Sequence, residues 1–327
     1  MKANTSFLVK KGYACGIGSG MTWGLDAVLI GMAMAMAPFV ENPILLVGGT
    51  FVCSMLHDTF AAVWMFLIML FKGQLKGFLP AIKSKDGRFC VLGALFGGPF
   101  AMSFYMMAIA TGGAALAATV TSCYPLLGSA LAVVILKENI QMRGWLGLCI
   151  CILGIIYIGY SPDTSADTAL GTGIMFALLA AIGWASEAVI CGYGMKAGNV
   201  SPLMALLIRE FTSAAAYLLV VLPLMMDGYG NAIEGTLAVF SYAPCWILLA
   251  VTALVGMSSF LMWYTSIDLI GAAKALCLNV TYSFWAVVFA IIIAGSVITQ
   301  NVVVGSILII AGVSTATLIN KKSKKQE

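Results

Sequence analysis

The chain has 327 residues, of which 61 % are apolar and only 9 % are charged, and its mean hydropathy is +1.03. Soluble globular proteins carry about 25 % charged residues, so this composition excludes an ordinary soluble protein. Its long uncharged runs are able to cross a hydrocarbon core of about 30 Å as helices. The sequence therefore predicts an all-α membrane protein.

Apolar runs bounded by charged residues, Pro, Asn or Gly predict ten transmembrane helices. In chain order they cover residues 13–35, 45–71, 89–110, 114–136, 143–160, 171–194, 203–226, 243–267, 274–294 and 302–319. With both termini placed in the cytoplasm, sixteen of the seventeen Lys and Arg residues fall on the inner side. This distribution satisfies the positive-inside rule and predicts a multi-pass protein of the cytoplasmic (inner) membrane with both termini cytoplasmic.

The cysteine and histidine content argues against several other classes. The nine cysteines form no C-x-x-C pair, and His57 is the single histidine of the sequence. This pattern is not typical of a zinc site or a disulfide framework, so neither a metal nor another cofactor is expected. An intramembrane enzyme is not expected either, because the sequence has no G-x-S-x-G motif beside its one histidine. The net charge of +4 follows from the basic inner loops and indicates no nucleic-acid partner, and protein partners remain unknown.

The two halves of the sequence resemble each other. Residues 23–31 read WGLDAVLIG and residues 184–192 read WASEAVICG, at an offset of 161. Further matches pair Gly97 with Gly256, Tyr105 with Tyr264, Tyr124 with Tyr282 and, more weakly, HDTF at His57 with REFT at Arg209. Because five spans separate the partners, the halves are predicted to have opposite orientations in the membrane. Inverted repeats with a substrate site between them are typical of secondary transporters.

The predicted division has three parts. A five-helix repeat covers residues 1–160, an outer linker covers 161–169, and a second five-helix repeat with a basic cytoplasmic tail covers 170–327.

The chain resembles the drug/metabolite transporter superfamily of the ten-helix, inverted-repeat type. The resemblance is carried by the length, the repeat, the W-[GA]-x-[DE] pattern ending at Asp26 and Glu187, and YPLLGSALAVVILKEN from Tyr124. It implies transport of a small metabolite, since superfamily members carry amino acids, sugars, nucleotide sugars, purines, drugs or choline. The segment GWASEAVICGYGMK, residues 183–196, is most similar to the bacterial choline-uptake branch.

Asp26 and Glu187 are the main candidates for a functional site. An ionisable residue at the bilayer centre costs about 2.5–3.5 kcal/mol, so each needs a partner or a function. Each lies three residues after a tryptophan, Trp23 or Trp184, which places acid and indole on one helix face. An aromatic face beside a carboxylate holds a quaternary ammonium group well. The further predicted walls of this aromatic cage are Tyr105, Tyr124, Tyr264 and Tyr282, with Asn279 as a hydrogen-bonding partner for a substrate hydroxyl.

The remaining charged residues inside the spans have other predicted roles. Asp26 and Glu187 are also candidates for holding a proton that couples transport to the proton gradient, and the sequence does not apportion the two roles. His57–Asp58 and Arg209–Glu210 each join a base and an acid in the second and seventh spans. These two pairs are predicted to form structural or gating ion pairs.

The sequence thus predicts a secondary active transporter of a small organic cation, choline or a related quaternary amine, working by alternating access in the lipid bilayer. Proton coupling is one option for its energy source. The alternatives are an exporter of amino acids or other small metabolites, or of cationic drugs, with the same fold. The direction of transport, the coupling ion and the oligomeric state stay open.

Overall fold

A computed structural model of the chain describes residues 2–121, 123–159, 170–295 and 300–317. The α-helices are α1 Lys2–Met34, α2 Ala37–Glu41, α3 Pro43–Phe71, α4 Phe78–Lys83, α5 Lys85–Leu95, α6 Ala101–Thr121, α7 Tyr124–Leu131, α8 Met142–Gly159, α9 Leu170–Lys196, α10 Pro202–Ala216, α11 Leu222–Met225, α12 Tyr229–Phe240, α13 Ala243–Ile270, α14 Ala272–Asn279, α15 Tyr282–Ala294 and α16 Gln300–Thr317. A 3₁₀ turn covers Leu75–Gly77, and π-helical turns cover Phe96–Phe100, Ala132–Leu136 and Tyr217–Val221. The described residues contain no strand, which confirms the all-α prediction.

The helices are long and apolar enough for a multi-span membrane protein. Within the described residues, seven segments meet the length and hydropathy of a full span: Ser6–Met34, Pro43–Phe71, Lys85–Ala108, Gly171–Lys196, Pro202–Met225, Ala243–Ile270 and Ala272–Ile293. Three shorter apolar helices cover Tyr124–Leu136, Met142–Tyr157 and Val303–Ala316. These segments fall on the predicted spans, and the multi-span fold class is confirmed.

Two predicted boundaries differ from the structure. The gap placed between the third and fourth spans at 111–113 lies inside α6, and the next helix begins at Tyr124. Glycine disfavours a helix by only about 1 kcal/mol, and this stretch has no proline or charge that would end the helix. The predicted ninth span is interrupted, because α14 ends at Asn279 and α15 begins at Tyr282. Broken helices of this kind commonly lie beside the substrate site of a transporter.

The acids of α1 and α9 pack in the same way. A Cβ atom added to Gly97 would overlap the Glu187 carboxylate, and one added to Gly256 would lie 2.8 Å from Asp26 Oδ1. Glycine allows this close approach between helices in a membrane. Two related halves would be expected to share this contact between a glycine and an acid. The division into residues 1–160 and 170–327 stays a prediction. The linker at 161–169 and the tail from residue 318 lie outside the described residues.

Two contacts hold helices together at the predicted cytoplasmic side. The Glu138 carboxylate accepts hydrogen bonds from the backbone amides of Ala272, at 2.7 Å, and Ala273, at 3.0 Å, in the first turn of α14. Lys196 Nζ, at the end of α9, donates to the carbonyl oxygen of Leu136 at 2.9 Å. The amides at a helix N-terminus lack intrahelical partners and favour an anion, so Glu138 ties the segment after α7 to α14.

Replacing Glu138 by alanine is expected to lower the free energy of unfolding by about 1–2 kcal/mol, because α14 loses its capping carboxylate. Thermal melting in detergent, with Glu41→Ala as the control, measures the effect. Glu41 is an exposed acid at the end of α2. Equal melting temperatures for the two variants would contradict the capping role.

Candidate functional site

A cavity of about 130 Å³ lies between α1, α3, α6, α9, α10 and α13. Its polar end contains Asp26, His57, Asp58 and Arg209, and its aromatic wall contains Trp23, Trp184 and Phe260. Toward the predicted outer side the lining continues through Ile30, Met34, Met102 and Met106. An engineered cavity of ~150 Å³ in another protein binds benzene, so this space suits a small organic molecule.

The two tryptophans singled out in the sequence lie together on the cavity wall. The rings of Trp23 and Trp184 are 6.5 Å apart and perpendicular. Phe260 lies 6.2 Å from Trp23 and completes the aromatic wall. The wall therefore combines one aromatic residue from each of α1, α9 and α13.

Three predicted tyrosines support this wall from outside the cavity. Tyr282 stacks on Trp23 with ring centroids 4.8 Å apart. Tyr124 lies 6.3 Å from Trp23 and 6.0 Å from Trp184, and Tyr105 lies 5.3 Å from Trp184. None of the three lines the cavity; their contacts fix the orientation of the two indoles.

The acid of α1 pairs with the histidine of α3. His57 Nε2 lies 3.0 Å from Asp26 Oδ1, and His57 Nδ1 lies 3.3 Å from Asp58 Oδ1. Ser213 Oγ donates to Asp58 Oδ2 at 2.5 Å. All three titratable side chains are buried, yet each reaches the cavity.

The acid of α9 pairs with the arginine of α10. Arg209 Nε donates to Glu187 Oε1 at 3.3 Å, and Tyr264 OH donates to the same oxygen at 3.0 Å. Arg209 Nη1 also donates to Glu210 Oε2 at 2.9 Å and Asp58 Oδ1 at 3.3 Å. Glu187 is buried and does not line the cavity. Its Oε2 has no hydrogen-bond donor among the described residues.

The two acid–base pairs come from segments that match each other in the sequence. Asp26 with His57 corresponds to Glu187 with Arg209, as the matching HDTF and REFT segments suggest. Arginine stays charged at any accessible pH, whereas histidine gains or loses a proton in the physiological range. The base is therefore permanently charged in the Glu187–Arg209 pair, whereas its charge is variable in the Asp26–His57 pair.

Two further predicted site residues, Tyr264 and Asn279, also lie away from the cavity. Tyr264 contacts Glu187 and, at 3.2 Å, Cys191 Sγ. Asn279 is fully buried, where its Oδ1 accepts from Tyr124 OH at 2.7 Å and its Nδ2 donates to Ser19 Oγ at 3.0 Å. In this conformation both residues support the site from behind.

Phe260 is the aromatic cavity residue that the sequence prediction missed. The internal repeat gave no signal for it, because its counterpart at the offset of 159 is Ala101. Phe260 lies one turn before the predicted residue Tyr264. This spacing places the two side chains on the same helix face and was the one signal in the sequence for Phe260. Among the described residues, no group of three or more His, Cys, Asp or Glu side chains is placed to hold a metal ion.

Comparison with solved structures supports the fold. A crystal structure superposes with a TM-score of 0.69 over 94 % of this chain and 97 % of the other, at 15 % sequence identity. At that identity, the likeness establishes the shared fold alone.

Sequence comparison decides the family. The family model of the EamA-like transporters matches twice, over residues 10–160 and 171–318. The chain belongs to the EamA-like transporter family. This transporter is also 28 % identical over 236 residues to Protein LicB of Haemophilus influenzae, covering 72 % of this chain and 76 % of that protein. Membership confirms the resemblance to the drug/metabolite transporter superfamily and implies a small-molecule substrate moved through a lipid bilayer.

Proposed function

We propose that this transporter moves a small organic cation, choline or a related quaternary amine, by alternating access. The observation that carries the proposal is the Asp26 carboxylate beside the wall of Trp23, Trp184 and Phe260 in one cavity. A desolvated quaternary ammonium gains about 2 kcal/mol or more from an aromatic face, and the carboxylate supplies the opposite charge. A neutral or anionic substrate would gain neither the cation–π attraction nor the attraction to the opposite charge of Asp26.

The charges around the cavity also favour a cation. Four carboxylic acids, Asp26, Asp58, Glu187 and Glu210, share this network with two bases, Arg209 and His57. If all four acids are ionised, negative charge remains even when His57 is protonated. A buried charge without a partner costs several kcal/mol, so a bound cation or proton stabilises the site.

The two acids have different roles in this proposal. Glu187 is held by Arg209 and Tyr264 outside the cavity, so it already has a permanent cationic partner. Asp26 reaches the cavity and pairs with a histidine whose charge is variable. We therefore assign substrate binding to Asp26, with Glu187 as a charge that fixes Arg209.

The position of the cavity fits alternating access. Its lining extends toward the predicted outer side through Met34 and Met106, while Glu138 and Lys196 join helices at the predicted inner side. Opening toward the cytoplasm would separate these inner contacts and close the outer ones. The glycine contacts of Asp26 and Glu187 supply matching packing surfaces for such a rocking motion.

Direct binding tests the substrate class. Calorimetry on the purified transporter is expected to detect choline and tetramethylammonium but not 3,3-dimethylbutan-1-ol, a neutral molecule with the shape of choline. The pair separates charge from shape, because the two molecules differ only at the central nitrogen. Equal binding of the neutral alcohol, or binding of neither cation, would overturn the proposal.

Alanine at Trp184 is expected to weaken choline binding by at least about tenfold, or 1.4 kcal/mol, because the cation loses one aromatic face. Trp246→Ala is the matched control, since Trp246 packs against Phe240 away from the cavity. The dissociation constant of radiolabelled choline measures both. Equal affinities of the two variants would remove Trp184 from the site.

A second candidate substrate is a zwitterionic amino acid. It is favoured by Arg209, which lines the same cavity as Asp26 and would receive a carboxylate while Asp26 receives the amino group. The arginine already contacts three carboxylates, which leaves it little capacity for another. Binding of amino acids without binding of quaternary amines, in the same calorimetric measurement, would select this candidate. Binding of bulky aromatic cations in place of choline would select drug efflux.

A further inference from the structure

We propose that the substrate cation and a proton on His57 replace each other, so that cation binding at Asp26 releases that proton. This inference rests on the proposed function and adds the identity of the proton carrier. It gives His57 the role of a positioning residue that controls when the Asp26 carboxylate is available.

The hydrogen bonds of His57 require an extra proton. Both ring nitrogens lie within 3.3 Å of carboxylate oxygens, Nε2 of Asp26 and Nδ1 of Asp58. A neutral imidazole has one N–H donor, and an ionised carboxylate has none. Two hydrogen bonds therefore need an imidazolium, or a neutral imidazole with one protonated carboxyl group. In either form, Asp26, His57 and Asp58 together carry one proton more than they would as two ionised carboxylates and a neutral imidazole.

The equivalent pair in the other half shows why histidine matters here. Arg209 occupies the corresponding position and lies 3.3 Å from Glu187 Oε1. Its charge is permanent, and Glu187 stays paired whatever the cavity contains. His57 instead is able to leave Asp26 with an unpaired negative charge after it loses a proton. Only the α1 acid thus alternates between an internal and an external partner.

Charged and titratable groups surround His57 on the neighbouring helices. Asp26 on α1 and Asp58 on α3 pair with His57, and Cys53 on α3 and Arg209 on α10 line the same cavity. Glu210 on α10 and Glu187 on α9 join this network through Arg209, and Tyr217 on the following π turn faces Asp58. The α13 surface against the imidazole is Gly256, which carries no charge. Asp58 also pairs with His57 and lines the cavity, but Ser213 and Arg209 hold it as well. Asp26 follows Trp23 by three residues on one helix face, so it is the acid assigned to the exchange.

The exchange is balanced in charge. The ammonium group takes the place beside Asp26 Oδ1, the imidazolium loses its Nε2 proton to cavity water, and Nδ1–H keeps its bond to Asp58. One positive charge enters the site and one leaves, so the net charge of the buried site is unchanged. Because a change in buried charge would be costly, this balance lets the helices reorient with either occupant. The resulting transport is an electroneutral exchange of one proton for one monovalent cation.

The test measures tetramethylammonium binding to the full-length transporter between about pH 5 and pH 8, a range that spans the ordinary pKa of a free histidine. Wild-type affinity is expected to rise with pH, by up to about tenfold per unit for competition with one proton. His57→Gln is expected to bind with an affinity that does not vary over this range. Glu234→Gln, at an exposed acid of α12, is the control and is expected to keep the wild-type slope.

Proton release on the wild-type protein gives a second measurement that does not depend on how well His57→Gln folds. About one proton per bound cation is expected in weakly buffered solution, and no release would overturn the exchange. If the affinity of the His57→Gln variant depends on pH as strongly as that of the wild type, the proton is carried by Asp26 or Glu187. That result would overturn the role assigned to His57. Absence of tetramethylammonium binding at every pH would overturn the proposed function and this inference together.

Discussion

Asparagine at position 26 is expected to weaken choline binding by about 100-fold or more, which corresponds to about 2.7 kcal/mol. The substitution keeps the shape of the side chain and its reach to His57 Nε2, 3.0 Å away, but removes the charge that faces the ammonium group. Loss of one member of a desolvated charge pair commonly costs 2–5 kcal/mol. Calorimetry with choline measures the loss, and thermal melting checks that the variant folds.

Glu187→Gln provides the comparison for this prediction. Glu187 is the equivalent acid of the second half, but it lies outside the cavity and is paired with Arg209. Its substitution is expected to weaken choline binding by less than about tenfold, because the substrate does not touch it. If Glu187→Gln weakens binding as strongly as Asp26→Asn, the assignment of substrate binding to Asp26 is wrong.

The sequence was sufficient for the class of fold and for the location of the charged residues. The uncharged runs and the Lys and Arg residues of the inner loops predicted the spans, because the thickness of the bilayer sets the length of every helix that crosses it. The i, i+3 spacing of Trp23 and Asp26 also placed both side chains on the cavity, as a single helix face requires. These are local properties, and they can be read from one segment at a time.

What the sequence could not supply depends on contacts between helices. Trp184 and Glu187 have the same spacing as Trp23 and Asp26, yet Trp184 lines the cavity and Glu187 turns to Arg209. The difference follows from the partner on α10, whose guanidinium reaches the carboxylate and also lies 4.1 Å above the Phe260 ring. Two similar motifs thus acquire different roles from their surroundings.

The interruption between α14 and α15 was also invisible in the sequence. Residues 276–285 read LCLNVTYSFW, in which the polar residues are isolated and neither proline nor glycine marks the break. In the structure, α1 approaches so closely that a Cβ atom at Gly20 would lie 3.1 Å from the Asn279 carbonyl oxygen. Such a break arises from packing against another helix, which sequence periodicity does not record.

Arg209 links the stability of the protein to its site. Its guanidinium donates to Asp58, Glu187 and Glu210, which come from three different helices. Replacing Arg209 by methionine preserves much of the apolar volume but leaves three buried acids without their shared cation. Removing one partner of a buried ion pair typically costs about 3–5 kcal/mol, so Arg209→Met is expected to lower the free energy of unfolding by at least that much.

Two further variants make this prediction specific. Arg88→Met, at an exposed arginine of α5, is expected to change the free energy of unfolding by less than about 0.5 kcal/mol. Glu187→Gln in the Arg209→Met background is expected to restore part of the lost stability, because it removes one of the unpaired charges. Unfolding in mixed micelles would give a coupling energy of about 1–3 kcal/mol between the two sites. If the effects of the two substitutions on the free energy of unfolding are strictly additive, Arg209 stabilises the helices by packing alone. The contribution of Glu187 to stability would then not depend on the charge of Arg209.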